Sequence, residues 1–179
     1  MSVAKMLVPL ASTLLLTISA HAQGVVPPPP YFEYAAKFTC GTESVKEPDD
    51  VVSGVYASSI NIHNPQAGLP VSFFKKLVIA NREGTMPGRF RVLNDKLGPD
   101  QADRVDCIFI RRNLDIATTA YVEGFVVLEV PPVPSATGSA ATVQPVLDVV
   151  AKYTARAVPP GSYVTTQSVV QIDGKRITN

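Results

Sequence analysis

Few side chains of this sequence could support catalysis or bind a metal. Of its two histidines, His21 lies in an apolar N-terminal segment, so a Ser-His-Asp or Cys-His unit would have to use His63. The sequence also contains no G-x-S-x-G, H-E-x-x-H or phosphate-loop motif. Because His63 ends an alternating run beside Asn64 and Pro65, we predict that it caps a turn; ligand binding or catalysis is the alternative.

Aspartates at two places could supply oxygen ligands for calcium. Asp100, Asp103 and Asp106 fall three residues apart, and Asp49 and Asp50 form a second group. Calcium prefers several oxygen ligands that converge on one loop, but neither group has the spacing of an EF-hand. We therefore interpret these aspartates as solvated surface carboxylates. We predict no metal and no other cofactor, with the triplet as the weak candidate for a metal site.

Cys40 and Cys107 are the two cysteines of the chain. Both follow the N-terminal segment and lie in strand-like runs, and in an oxidising compartment one disulfide is the simplest explanation of such a pair. Closing a loop of this length would stabilise the fold by roughly 4 kcal/mol through the unfolded chain. Two separate buried thiols are the alternative, and a zinc site would need more Cys or His residues.

Two basic pairs, Lys75-Lys76 and Arg111-Arg112, are too small for a nucleic-acid surface without interleaved aromatic residues. Without Lys5 the chain has 15 basic and 15 acidic residues, so its net charge provides no attraction to nucleic acid. We predict that both pairs lie at solvated strand edges or ends. Nucleic acid is not an expected partner.

The first 22 residues have the pattern of a secretory signal. Lys5 and the α-amino group are positive, Leu7 to Ile18 is apolar, and Ala20-His21-Ala22 fits a small-x-small cleavage site. No later apolar run approaches the roughly 20 residues that a membrane-spanning helix needs. We predict a secreted or periplasmic protein without a membrane span after cleavage; a retained N-terminal anchor helix is the alternative.

Alternation of apolar and polar residues predicts strands over most of the remaining chain. Val55 to Ala80 carries two alternating runs joined by Asn64 to Gly68, a turn-like segment, and this predicts a hairpin. Similar runs predict strands over residues 31–40, 89–93, 104–110, 120–130, 146–155 and 164–172. Gly124 interrupts one face of its run and indicates a bulge.

About eight strands separated by turn residues, without a helix long enough for a parallel crossover, predict an all-β fold. We expect two antiparallel sheets packed as a sandwich, with a closed barrel as the alternative. The predicted segments are a signal peptide (1–22), a Pro-rich arm (23–33), the β-sandwich domain (34–174) and a C-terminal tail (175–179). Four consecutive prolines make the arm stiff and extended, so we interpret it as a spacer, with docking on a partner as the alternative.

Several short runs resemble parts of known bacterial proteins. Leu97 to Cys107 resembles the loop-then-strand segment of bacterial immunoglobulin-like sandwich domains, in which a leucine and a proline precede the strand. Ile60 to Pro65, Val105 to Cys107, Gly124 to Val127 and Leu147 to Thr154 together resemble small exported bacterial proteins of uncharacterised function. The resemblance spans most of the chain after the signal. It implies an immunoglobulin-like fold and an exported location, but no active site.

These features predict a protein that is not an enzyme. We expect an exported structural or binding module of the bacterial envelope or extracellular space, with an unidentified protein or glycan partner. One alternative is a filament or adhesion subunit, self-associating when the arm Val25 to Phe38 adds as a strand to a neighbour. Another alternative, ranked last, is an enzyme or metal-dependent carbohydrate binder that uses His63 or the aspartates.

Overall fold

The computed structural model describes residues 30–44, 52–80, 90–134, 142–143, 145–157 and 165–178. The strands of this part are β1 (Tyr31–Glu43), β2 (Gly54–His63), β3 (Val71–Ile79), β4 (Phe90–Leu97), β5 (Ala102–Asp106), β6 (Val122–Val130), β7 (Val133–Pro134), β8 (Thr142–Val143), β9 (Asp148–Ala157), β10 (Thr165–Ile172) and β11 (Lys175–Ile177); its helix is α1 (Cys107–Leu114). The chain is therefore mostly antiparallel β, as the alternating patterns predict. The predicted signal peptide, Asp49 and Asp50 lie outside the described residues.

Nine of these strands form a single open sheet. Its order is β10-β9-β2-β1-β6-β3-β4, with β5 also paired to β2 and β11 also paired to β1. The remaining two strands, β7 and β8, pair only with each other. No helix of the described part is both long and apolar enough to cross a membrane.

Strand β1 joins the two halves of this sheet. Its residues 32–40 pair with β6, whereas Gly41, Thr42 and Glu43 pair with the first residues of β2. The change of partner occurs at Gly41, whose φ of 108° is a conformation that residues with a Cβ rarely adopt. The first residues of β1, which belong to the predicted arm, pair with β11 from the predicted tail.

The predicted hairpin between β2 and β3 is wrong. Strand β2 pairs with β1, β5 and β9, while β3 pairs with β4 and β6. Buried Asn64 fixes the chain that leads from one half of the sheet to the other. Its side-chain amide donates to the carbonyl oxygens of Leu69 and Gly98, at 2.8 and 2.9 Å, and its Oδ1 accepts from the backbone of Gln66. The turn residues are therefore used to cross between the two halves.

The run predicted as a strand over residues 104–110 stops at Asp106, and α1 begins at Cys107. The Asp106 carboxylate caps this helix by accepting a hydrogen bond from the backbone N–H of Phe109 at 2.9 Å. Ile110, Arg111 and Leu114 are buried along one side of the helix, at helical spacing. Val105, Cys107 and Phe109 also alternate as residues of a strand do. The sequence alone did not reveal the helix, because so short a run fits both the strand period of two and the helical spacing.

The buried residues come from both halves of the sheet and from α1. They include Tyr34, Ala36, Phe38, Cys40, Ile60, Ile62, Val71, Phe73, Leu77, Val105, Ile110, Val126, Leu128, Val130, Leu147, Val149 and Ala151. The tyrosine hydroxyl of Tyr34 accepts a hydrogen bond from the backbone N–H of Leu147 at 3.0 Å. Burial raises the pKa of Tyr34 above its ordinary value. The alternating inward positions of the strands therefore build one shared core.

Gly124 lies in regular pairing with both neighbouring strands, so the predicted bulge is wrong. It is required because a Cβ at this position would collide with the carbonyl oxygen of Val78 and would lie 2.9 Å from the Phe38 ring. We expect Gly124→Ala to lower the free energy of unfolding by about 1–3 kcal/mol, measured by equilibrium urea unfolding. Gly68→Ala, which adds a methyl group in open space, should change it by less than about 0.5 kcal/mol. Equal effects of the two substitutions would contradict this explanation.

Candidate functional site

His63 lies between two carboxylates where three parts of the chain meet. It is the last residue of β2 and faces Asp148, the first residue of β9, while Asp100 lies in the turn between β4 and β5. Its Nε2 is 3.0 Å from Asp100 Oδ1 and its Nδ1 is 3.4 Å from Asp148 Oδ2. The predicted role of His63 as a turn cap is wrong, because Asn64 has that role. Both ring nitrogens are used by the two carboxylates.

The two carboxylates favour the protonated imidazole, because only that form donates from both nitrogens. The hydrogen bond to Asp100 raises the pKa of His63, burial opposes this, and the hydrogen bond to Asp148 and the charges of both aspartates add to the increase. A raised folded pKa gives a stabilising contribution that is complete below the ordinary value of 6.5. The contribution is lost as the pH rises through the folded pKa.

We therefore expect His63→Gln to lower the melting temperature at mildly acidic pH more than at alkaline pH. Scanning calorimetry of both proteins at a series of pH values should show the difference shrinking as the pH rises above about 6.5. Asp148→Asn, which removes the weaker of the two contacts, should show the same trend with a smaller amplitude. A difference that grows with pH would contradict the assigned ion pairs.

Each of the three aspartates of the candidate metal site contacts a different group. Asp100 contacts His63, Asp103 contacts Lys75, and Asp106 caps α1 and lies 3.6 Å from the Arg104 guanidinium. Within the described ranges, no three His, Cys, Asp or Glu side chains form a group that could hold a metal ion. The structure thus gives each aspartate a different role in holding the fold together.

Lys75 is the most unusual charged residue of the described chain, since only 1% of it is exposed. Its Nζ lies 2.7 Å from Asp95 Oδ2 on β4 and 2.6 Å from Asp103 Oδ2 on β5. The rings of Phe73 and Phe109 lie 5.9 and 5.0 Å from the same atom, within the range of cation–π attraction. The prediction that Lys75 lies at a solvated edge is wrong, because β3 is flanked by β4 and β6.

The Lys75 ammonium group links β3 electrostatically to its neighbour β4 and to β5, which does not pair with β3. Burial alone would raise the pKa of Asp103, but the hydrogen bond and positive charge of Lys75 outweigh it and lower that pKa. The arrangement therefore supports a structural role that connects β3, β4 and β5.

Arg111 is also buried, which corrects the prediction of a solvated strand end for this residue. Its guanidinium donates to the carbonyl oxygens of Ala117 and Ala120, the latter at 2.6 Å, and thereby fixes the chain that follows α1. Burial lowers the pKa of Arg111 below its ordinary value. Arg112, the next residue, is exposed as predicted.

The outward side of β4, β3 and β6 carries a group of exposed and half-buried apolar side chains, which we call the aromatic face. The strand register places Val78 beside both Phe90 and Phe125, and Lys76 beside both Val92 and Val127. Phe90 is 68% exposed, and Phe74, Val92 and Phe125 are each more than two fifths exposed. The aromatic face consists of Phe74, Val78, Phe90, Val92, Phe125 and Val127. Sequence reasoning missed it, although alternation alone puts Phe74 and Val78 on one side of β3.

Ion pairs and a groove border the aromatic face. Lys76 pairs with Glu129 within it, and Lys37 pairs with Glu123 at its β1 side at 3.1 Å. A surface groove of about 530 Å³ adjoins Phe74 and is lined also by Asn94, Lys96 and Pro131. The face therefore combines exposed apolar area with polar borders and a cavity, as interaction surfaces do.

Comparison of the chain with protein-family models, with curated proteins and with solved structures finds no match. The resemblance to small exported immunoglobulin-like proteins therefore stays a prediction.

Proposed function

We propose that the protein is a non-enzymatic exported module of the bacterial envelope or extracellular space that binds a protein partner through the aromatic face. The observation that carries this proposal is the cluster of Phe74, Phe90, Val92 and Phe125, all substantially exposed on one side of the sheet. Phe90, Val78 and Phe125 form one row across the three strands, and Lys76 lies between this row and Phe74. Exposed apolar area of this kind costs free energy in water, and it commonly marks an interaction site. Covering it with a partner would remove that cost.

A protein is favoured over a glycan as the partner by the chemistry of this face. Its members are phenylalanine and valine, the polar groups Ser72 and Asn94 lie only in the groove beside Phe74, and the chain has no tryptophan for stacking on a sugar ring. The Lys76–Glu129 pair within the face and the Lys37–Glu123 pair at its β1 side offer both charges to a partner. The groove beside Phe74 could accept one projecting side chain of the partner. The expected partner therefore presents an apolar surface with charged residues around it.

Export is supported by the N-terminal sequence and by the Cys40–Cys107 disulfide, since such bonds persist in oxidising compartments. We also propose that the two halves joined by β1 lie as facing layers in an immunoglobulin-like sandwich. The contacts between β3 and β5 through Lys75 and Asp103 support this arrangement, because these strands are not neighbours in the sheet. A crystal structure in which β3 does not face β5 across the core would overturn it.

The alternatives have less support. Strand exchange by the arm would require residues up to Phe38 to leave β1, where Phe32 to Phe38 pair with β6 of the same chain. Enzymatic use of His63 would require a free ring nitrogen, and the two aspartates occupy both.

Site-specific photo-crosslinking in cells that naturally make the protein tests the proposed binding. A photoreactive phenylalanine analogue at Phe90 should give a covalent adduct of one defined mass, whereas the same group at exposed Asn61 on β2 should not. Phe125→Ser in the Phe90-labelled protein should lower the adduct yield, because it removes the apolar neighbour across β3. Equal labelling at Asn61, or an adduct yield unaffected by Phe125→Ser, would overturn the proposal.

A further inference from the structure

The edge of the sheet formed by β10 is open. Among the described residues β10 pairs only with β9, over eight positions from Thr165 to Ile172, and it ends the strand order. Its outer backbone N–H and C=O groups therefore have no strand beside them in that part of the chain. Such an edge is a template for an additional strand.

The sequence of β10 does nothing to protect this edge. Residues 165–172 contain no charged residue, no proline and no glycine, although natural edge strands are commonly protected by charges or proline. Strand β4 at the opposite end of the sheet differs, since it carries Arg91, Asp95 and Lys96. The two edges are therefore unequal, and β10 is the one suited to pairing.

Valines on both sides of β10 are left uncovered. Val170 lies beside Ala151, which is fully buried, yet Val170 itself is 41% exposed, and no strand of the described residues continues the layer beyond it. Val169 on the opposite side is 63% exposed. A strand added along β10 would cover apolar surface on both sides and would pair its backbone at the same time.

We propose that β10 pairs antiparallel with β10 of a second copy of this chain, so that the sheet continues across a two-fold axis. Antiparallel pairing of identical strands is the geometry that a two-fold axis produces. A strand without charges meets itself without like-charge repulsion, and a formal net charge of +1 for the whole chain imposes little long-range repulsion. The proposal does not depend on the aromatic face, although a dimer would carry two such faces and bind a multivalent partner with higher avidity.

Sedimentation velocity of the protein, expressed from its full sequence and purified after export, tests this pairing. One strand pair is a small interface, so concentrations from about 1 μM to about 1 mM should be covered. We expect a reversible dimer, and we expect Val169→Lys with Gln171→Lys to weaken it at least tenfold. Ala57→Lys with Asn61→Lys is the matched control, because it adds the same two charges at exposed positions of β2, and it should leave the dimer unchanged.

Charge complementation separates edge pairing from loss of folding. Val169→Glu with Gln171→Glu should also be monomeric alone, and mixing it with the lysine variant should restore a dimer that contains one copy of each. Backbone amides of residues 165–172 in the unmodified protein should exchange more slowly at high than at low concentration. A monomer throughout the range, no dimer on mixing, or equal weakening by the double lysine variant of β2 would overturn the proposal. None of these outcomes bears on crosslinking at Phe90.

Discussion

Replacing Lys75 with methionine is expected to lower the free energy of unfolding at neutral pH by about 2–3 kcal/mol. Methionine fills a similar volume, so the loss comes mainly from Asp95 and Asp103, which would keep their charges without a partner. Breaking a fully buried ion pair costs about 3–5 kcal/mol, but the side chains of these aspartates are 33% and 38% exposed and water screens them. Equilibrium urea unfolding measures the change.

Two further variants separate the charge effect from packing. Lys76→Met alters the next residue, whose partner Glu129 lies on the outward side of the sheet, and should cost less than about 1 kcal/mol. Adding Asp95→Asn and Asp103→Asn to the Lys75→Met protein should recover part of the stability, because no uncompensated carboxylate remains. If the triple variant were no more stable than Lys75→Met alone, the loss would have to come from packing.

The effect of Lys75→Met should also depend on pH. Because the pKa of Asp103 is lowered in the folded protein, its stabilising contribution is present above the ordinary value of 3.8 and is lost as the pH falls through the folded pKa. The difference between the two proteins should therefore shrink below about pH 4.

Reduction of the Cys40–Cys107 disulfide is expected to lower the free energy of unfolding by roughly 4 kcal/mol. The bond connects residues separated by 67 positions, so it restricts a long loop of the unfolded chain. It also ties the bend of β1, next to Gly41, to the first residue of α1. Urea unfolding with and without a thiol reductant, with alkylation and mass spectrometry to count free thiols, measures the effect.

The matched control is the Cys40→Ala, Cys107→Ala double variant treated with the same reductant. Its unfolding midpoint should be lower than that of the oxidised protein and should not respond to the reductant. An unchanged midpoint in the unmodified protein, at a reductant concentration that exposes both thiols to alkylation, would show that the bond contributes nothing to stability.

Local sequence patterns predicted where the strands lie better than they predicted which strands pair with each other. Strands β1, β6, β9 and β10 lie where alternation placed them, because a period of two depends only on neighbouring residues. The hairpin prediction failed because the turn chemistry of residues 64–68 also suits a crossing between the two halves of the sheet. Which strand lies beside β2 depends on β9, about ninety residues further along the chain.

For the candidate sites too, the sequence identified the residues but not their surroundings in the fold. The sequence singled out His63, the aspartates and Lys75, but it assigned them to a turn cap and to solvated surface, since the burial of a single charged residue leaves no local pattern. Only the pairing of β3 with β4, and its contact with β5, brings Lys75 between Asp95 and Asp103. The aromatic face likewise arises when three strands place their phenylalanines on one side.

By itself the sequence determined the predominance of β structure and which two cysteines could form a disulfide, because side-chain alternation and the number of thiols are properties of the chain alone. The tertiary structure decided where β1 changes partners, which charges are buried, and which edge of the sheet is left open. These features depend on non-local pairing, whose free energy belongs to segments far apart in the chain. The functions proposed for the aromatic face and for β10 follow from these features of the tertiary structure.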